Sequence, residues 1–404
     1  MDKKFFLKDF ISKRITGRQK SLFLDDIAAN HTSLADAIAG KAVLVIGGAG
    51  TIGSSFIKAI LPFEPAAITV VDNNENGLAE LVRDLRSNAD NIIPKVFITY
   101  PMDLASKVFR KILRNREFDI VANFAAHKHV RSEKDQFSVE AMITNNVLSA
   151  HYLLNALKHS PPAHFFCVST DKAANPVNIM GASKKLMEEV IFNKLETMPV
   201  TTARFANVAF SNGSLPDGFL ERIKKRQPIS APYDVKRYFI SPEESGEICL
   251  LSCILGKRGE ILFPKLAFDS MKAFSEIAVD LLSELGYEPY FCKTEEEARM
   301  MAKTINAQSV EYPVYFFSSD TTGEKAFEEF YTDDEDVDWD RFINLGVIKN
   351  SSRNPIINLD NHIKEIEQLF LEDEYAKSQI VHILENAVTS FSHLETGKYL
   401  DEKM

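Results

Sequence analysis

The sequence has little cysteine, no long apolar run and no excess of positive charge. Its four cysteines, Cys167, Cys249, Cys253 and Cys292, stand apart with no CxxC pair. They read as small buried residues of a reduced protein, and no metal site is expected. No stretch reaches the ~18 apolar residues that a membrane span requires. Met1-Asp2-Lys3-Lys4 opens on charge rather than on an apolar core, so no secretory signal and a cytoplasmic location are expected. Lys and Arg total 47 against 57 Asp and Glu, a net charge of -10, with no dense basic run. That argues against a nucleic-acid partner. It leaves an anionic ligand possible, because exposed charges are screened beyond roughly 8 Å and a few local cations can still hold phosphate. Internal repeats and low-complexity segments are also missing.

What is present is ordinary globular composition, 45% hydrophobic and 26% charged over 404 residues. Residues 1–40 read as an amphipathic helical extension, with Phe5, Phe6, Phe10 and Ile11 among lysines. Docking on the main domain or on a second subunit of a homo-oligomer is expected, with a membrane-surface helix as the alternative. From residue 41 to 205, strand patterns alternate with helices. The strands are Ala42–Gly47, Ala67–Asp72, Lys95–Tyr100, Asp119–Ala125, His164–Ser169 and Val200–Phe205. Buried apolar runs separated by helices predict an α/β fold, a Rossmann-like doubly wound parallel sheet. Residues 206–330 break this rhythm and predict a smaller substrate-binding lobe, with segments free to return to the sheet. Residues 331–404 predict a helical extension, and the acidic run 333–340 reads as a solvated loop.

The first strand leads into Gly47-Gly48-Ala49-Gly50-Thr51-Ile52-Gly53, and a helical pattern follows. In a dinucleotide fold Gly47 permits the tight turn, Gly50 lets backbone approach a pyrophosphate, and Gly53 lets helix and strand pack closely. The helix start at Thr51 and Ile52 offers free N–H groups to phosphate. Asp72 ends the second strand, where a carboxylate accepts from ribose hydroxyls and repels a 2′-phosphate. NAD is therefore expected as cofactor, in preference to NADP.

A second cluster comprises Ala125-Ala126-His127-Lys128-His129-Val130, Thr144-Asn145, Ser169-Thr170-Asp171-Lys172-Ala173-Ala174-Asn175-Pro176, Met180 and Lys184. With the glycine turn and Gly323-Glu324-Lys325 followed by Glu328-Glu329, it resembles the extended short-chain dehydrogenase/reductases. Within them it is similar to the nucleotide-sugar 4,6-dehydratases of bacterial polysaccharide biosynthesis, over residues 41 to 330. The resemblance implies NAD-dependent dehydration of a nucleotide-linked amino sugar, with Asp171 as acid for the C6 hydroxyl and Lys172 as C5 base. Burial raises a carboxyl pKa and lowers an ammonium pKa, so an enclosed site is expected to do both. The usual tyrosine of Tyr-x-x-x-Lys is Met180 here, as in the subgroup that acts on UDP-N-acetylglucosamine with retention at C5. Lys184, one turn on from Met180, is implied at the nicotinamide ribose. Met180 cannot take a proton, so Thr170, Asp171 or a water relay receives that of the C4 hydroxyl.

The same resemblance implies Asp103, Ala125, Ala126 and Asn145 at the cofactor. It implies Lys128, Asn207, Ser214, Arg237 and Lys265 at the substrate, with Lys128 also placed to support the cofactor and Arg237 as a diphosphate clamp. Arg204 lies in a similar segment. The Arg-Pro that usually precedes Gly323 is Thr321-Thr322. UDP and GDP sugars both remain open. So do a 4-epimerase or simple oxidoreductase, and a non-catalytic NAD-sensing protein. His127 and His129, alone at i and i+2, do not make a metal site.

Overall fold

The computed structural model describes residues 5–193, 198–320, 323–350, 356–393 and 395, the side chains of 131 and 132 excepted. Its sheet starts from six apolar strands, five of them largely buried and the third, at the edge, partly exposed. These are β1 (Ala42–Ile46), β2 (Ala67–Asp72), β3 (Val96–Pro101), β4 (Ile120–Asn123), β5 (His164–Val168) and β6 (Val200–Ala203). All six run parallel, in the order β6-β5-β4-β1-β2-β3. Strand Ile261–Pro264 adds parallel to β6, and Leu345–Ile348 and then Val337–Asp338 add antiparallel beyond it. The doubly wound sheet thus also recruits strands from far beyond residue 205. Between β1 and β4 the winding reverses direction, and a crevice opens at the carboxyl ends of the strands.

Helices cover both faces. Helix Pro242–Leu255 packs against helix Thr51–Ile60 so closely that a Cβ at Gly246 would lie 2.3 Å from the Ser55 carbonyl. On the other face, helix Ile179–Phe192 is buried almost throughout, against Ser149–Leu157 and the C-terminal helix Lys377–Ala387. A separate lobe holds three parallel strands, Glu288–Phe291, Glu311–Phe317 and Ile229–Pro232. Among the described residues, no helix is long and apolar enough to cross a membrane.

The N-terminal segment joins the two cores. Phe10, Ile11 and Ile15 are buried in the lobe, whereas Phe23, Leu34 and Ile38 are buried with the sheet. The Arg18 guanidinium forks onto Glu244 at 2.7 Å, and the Asp26 carboxylate accepts the N–H groups of Ile343 and Asn344 at 2.6 and 2.9 Å.

The acidic run is not simply a solvated loop. Its Glu335 is bidentate to Arg204 at 2.8 and 2.9 Å, and Glu188 meets the same guanidinium at 2.9 and 2.8 Å. Arg204 is fully buried, and the two carboxylates between them take up its N–H donors away from water. Its donors also reach the Phe330 carbonyl, and it does not face the crevice. Burial opposes a charge on Glu188, but Arg204 outweighs it and holds that carboxyl at about 2. The stability this pair contributes is therefore present above the ordinary carboxyl value of 4.5 and is lost as pH falls toward 2. Glu188→Ala should cost about 3–5 kcal/mol in urea denaturation at neutral pH. The cost should shrink progressively as the pH is lowered through that window. A variant as stable as the parent at pH 7 would contradict this assignment.

Candidate active site

The crevice is built first from close approaches of backbone. Gly47 turns the chain at φ 73°, and a Cβ there would lie 2.6 Å from the Ala125 nitrogen, so the turn touches the end of β4. A Cβ at Gly53 would lie 2.3 Å from the Gly47 carbonyl oxygen. Asp72 holds the turn from outside, accepting from Ala49 N and Asn74 N at 2.9 Å each. Beside them the first turn of helix Thr51–Ile60 opens onto a cavity of about 520 Å³. Gly47, Gly50, Thr51, Ile52, Gly53, Asp72, Ala126, Lys128, Thr170, Lys172, Met180, Lys184, Asn207 and Ser214 all line it.

The far wall comes from β5 and helix Ile179–Phe192. Thr170 Oγ1 donates to Asp171 Oδ1 at 2.8 Å, and Lys172 Nζ donates to the same oxygen at 2.9 Å. Glu328 Oε1 lies 3.8 Å from that amine on its other side. Asp171 is buried behind Thr170 and Lys172, which reach the cavity. Burial alone would push the Lys172 ammonium down, but Asp171 and Glu328 outweigh it and the net shift is upward. The expectation of a burial-lowered Lys172 is thus corrected, because two carboxyl groups share its pocket. Burial does lower Lys184, whose Nζ donates to the Val168 carbonyl at 3.1 Å. Met180 takes its position from Glu133, whose carboxylate accepts Ile179 N at 3.1 Å and Met180 N at 2.8 Å, and whose own pKa burial pushes up to about 7.

A second cavity, of about 490 Å³, shares Lys128, His129, Ser214, Leu215 and Phe274 with the first. It runs on to Arg222, Ser230 and Glu324. Ser230 Oγ is buried there with no hydrogen-bond partner among the described residues.

A family model described as polysaccharide biosynthesis protein matches residues 43–349. The chain belongs to that family. It is 34% identical over 62% of its length to a Methanocaldococcus jannaschii protein described as an uncharacterized membrane protein, covering 74% of that protein. It is 28% identical over 70% of its length to the probable polysaccharide biosynthesis protein EpsC of Bacillus subtilis, and spans only 46% of it. It is 29% identical over 56% of its length to an inverting UDP-N-acetylglucosamine 4,6-dehydratase of Campylobacter jejuni, covering 67% of it. Among solved structures, Pen from Bacillus thuringiensis superposes with a TM-score of 0.62 at 19% identity, over 86% of this chain and 98% of that one. A dTDP-glucose 4,6-dehydratase from Streptomyces venezuelae with NAD and DAU bound gives 0.53 at 20% identity, over 72% and 88%. These likenesses establish the Rossmann-type architecture.

Several residues expected at the site lie off the cavity walls of this family member. Arg237 is buried, donates to the carbonyls of Lys236, Lys325 and Ala326, and lies 3.6 and 3.9 Å from Glu324 and Glu328. The Lys265 ammonium donates to the carbonyls of Trp339, Phe342 and Ile343. Asp103 caps its own bend through Ala105 N at 2.6 Å. Ala125 meets the glycine turn through its backbone, and Asn145 donates to Asn146 at 3.3 Å. Thr321 and Thr322 lie outside the described residues. Lys325, of the late motif, donates to the Asn175 carbonyl.

Arg222, Ser230, Glu328 and Asn146 were not foreseen as site residues. Asn146 Oδ1 accepts from His127 N at 2.8 Å, and its Nδ2 donates to the His127 carbonyl and to Ser183 Oγ at 3.0 Å each. It sits in a π-type turn, Thr144–Leu148, which rotates the inward face relative to a regular helix. Regular helical spacing therefore could not separate it from Asn145. Asn146→Ala should leave both His127 backbone groups without their partner. We expect a loss of about 1–3 kcal/mol and faster amide hydrogen exchange at His127, while exchange in β1 stays slow. Unchanged exchange at His127 would show that Asn146 does not hold this loop.

Proposed function

We propose that the protein is an NAD-dependent 4,6-dehydratase of UDP-N-acetylglucosamine, serving surface polysaccharide or nonulosonic acid synthesis. The observation that carries this reading is the Thr170–Asp171–Lys172 cluster opening onto a crevice shaped for a dinucleotide. The residues present fit the cofactor. Gly47, Gly50 and Gly53 add no side chains to the cavity wall, which supports a pyrophosphate at the helix N-terminus, and Asp72 on the same wall suits the hydroxyls of an adenosine ribose. When bound, NAD accepts a hydride from sugar C4 and returns it to C6.

The protein's own groups then move the protons. Met180 has none to exchange. Thr170 Oγ1 receives the C4 hydroxyl proton and passes its own to Asp171 Oδ1, 2.8 Å away. Protonated Asp171 is the acid that sends the C6 hydroxyl off as water. Lys172, once neutral, takes the C5 proton and returns it to C5 after the hydride reaches C6. Proton and hydride counts close over the cycle, leaving a 4-keto-6-deoxy sugar and one water. The second cavity, with Arg222 and Ser230 on its wall, has room for the nucleotide. The inverting relative of Campylobacter jejuni acts on this substrate by its name, which supports the choice of UDP-N-acetylglucosamine. Met180 favours retention at C5. A 4-epimerase would have no use for an adjacent acid and base behind Thr170.

Purified protein incubated with UDP-N-acetylglucosamine and NAD should give a product lighter by one water, with a C6 methyl signal by NMR. GDP-N-acetylglucosamine run in parallel decides the nucleotide. A sugar of unchanged mass with either nucleotide would reject dehydration. Lys172→Ala should reduce turnover at least ~100-fold while NAD still binds. Because Asp171 and Glu328 hold Lys172 protonated at rest, kcat should rise with pH through the neutral range as its neutral form grows. A kcat that falls over that range would contradict Lys172 as the base.

A further inference from the structure

The loop of residues 211–214 crosses from the lobe to the glycine turn, and it is tied at both sides of the crevice. Asn212 N–H donates to Thr51 Oγ1 at 3.0 Å, in the first turn of helix Thr51–Ile60. From the opposite wall, Lys128 Nζ donates to the Asn212 carbonyl at 2.8 Å and to Ser211 Oγ at 3.4 Å. The loop is stiffened from within, since Ser214 N–H donates to the Ser211 carbonyl at 2.8 Å. Gly213 lies at φ 73° close against His129, where a Cβ would come within 3.3 Å of Nε2. Ser211 and Asn212 line the first cavity, Gly213 lines the second, and Ser214 lines both. The loop is therefore a partition between the two cavities, and it is tied to the first turn of helix Thr51–Ile60 by a side-chain hydroxyl that a single substitution removes.

We propose that loop 211–214 is a latch over the dinucleotide, closed by the Asn212–Thr51 bond and held down by Lys128, which must open for the cofactor to leave. The inference rests on the nicotinamide reading above. It explains how a cofactor that ends each cycle as it began stays with the enzyme. A hydride that leaves C4 and returns to C6 of the same sugar needs no exchange of cofactor, so slow release does not limit turnover. Thr51, Lys128 and the loop are positioning elements in this account, with the Asn212 backbone as their common partner. The latch uses main-chain atoms of Asn212, so it does not depend on that residue's side chain.

The test is the rate at which bound NADH leaves, read by stopped-flow fluorescence after mixing with excess NAD. Thr51→Val and Lys128→Met should each speed release about tenfold, the scale of one hydrogen bond, and Thr51→Ser should restore the parent rate. The double variant should release no faster than the quicker single one, because both substitutions open the same loop. Effects that multiply in the double variant would mean that each side chain grips the cofactor separately, and the latch would fall. Release unchanged in both single variants would also overturn it, with the cofactor reading left standing. If the parent protein binds no NADH, the nicotinamide reading itself falls and the latch falls with it.

Discussion

An ammonium group enclosed by protein must be balanced by nearby negative charge, and at Lys172 that constraint organises the site. The amine sits 2.9 Å from Asp171 and 3.8 Å from Glu328. These three groups come from the end of β5 and from a segment more than 150 residues further along the chain. Arg237 lies 3.9 Å from Glu328 and 3.6 Å from Glu324, so the cluster carries two cations against three carboxyl groups. Burial raises the pKa of Glu328, with Lys172 and Arg237 opposing that rise and Asp171 adding to it. The resting charge state is thus a property of the set. Thr170 and Lys172 donate to the same Asp171 oxygen, so a proton gained or lost by one of the three groups alters the hydrogen bonds of the other two.

The fold delivers this arrangement because all six N-terminal strands run parallel. Their carboxyl ends meet on one edge, and the winding reverses between β1 and β4. Two helix N-termini then face the same space. One presents bare backbone behind the glycine turn. The other is held by Glu133 and Asn178, the latter accepting from Gly181 N at 2.7 Å. The lobe closes the third side through loop 211–214. Arg204, bridged between Glu188 and Glu335, locks β6, the helix beneath it and the segment after Phe330 into one body. The N-terminal segment does the same for lobe and sheet by lending apolar residues to both cores.

Much of this was legible in the sequence because it is local. The run Ala42–Ile46, the spacing of Gly47, Gly50 and Gly53, and Asp72 at the end of β2 sit within one βαβ unit, where spacing dictates geometry. The STDKAANP segment is likewise contiguous. What escaped depends on long-range partners. Nothing near Arg204 announces Glu335, so it read as a lobe residue and Glu335 as part of a solvated run. The lysine at 265 and the arginine at 237 look like substrate ligands until their donors are traced to backbone carbonyls. Asn146 was displaced from view by a π-type turn. The direction of the Lys172 shift could not be read from burial alone, since Glu328 reaches it only through the folded lobe.

The central claim is that a nicotinamide ring and a sugar share the cavity in front of Thr170, Asp171 and Lys172. Its most direct test is a substrate carrying deuterium at C4 of the N-acetylglucosamine. If the hydride is stored and returned within one bound complex, the product will carry a singly deuterated methyl group at C6. Deuterium found still at C4, or lost from the product altogether, would contradict the account.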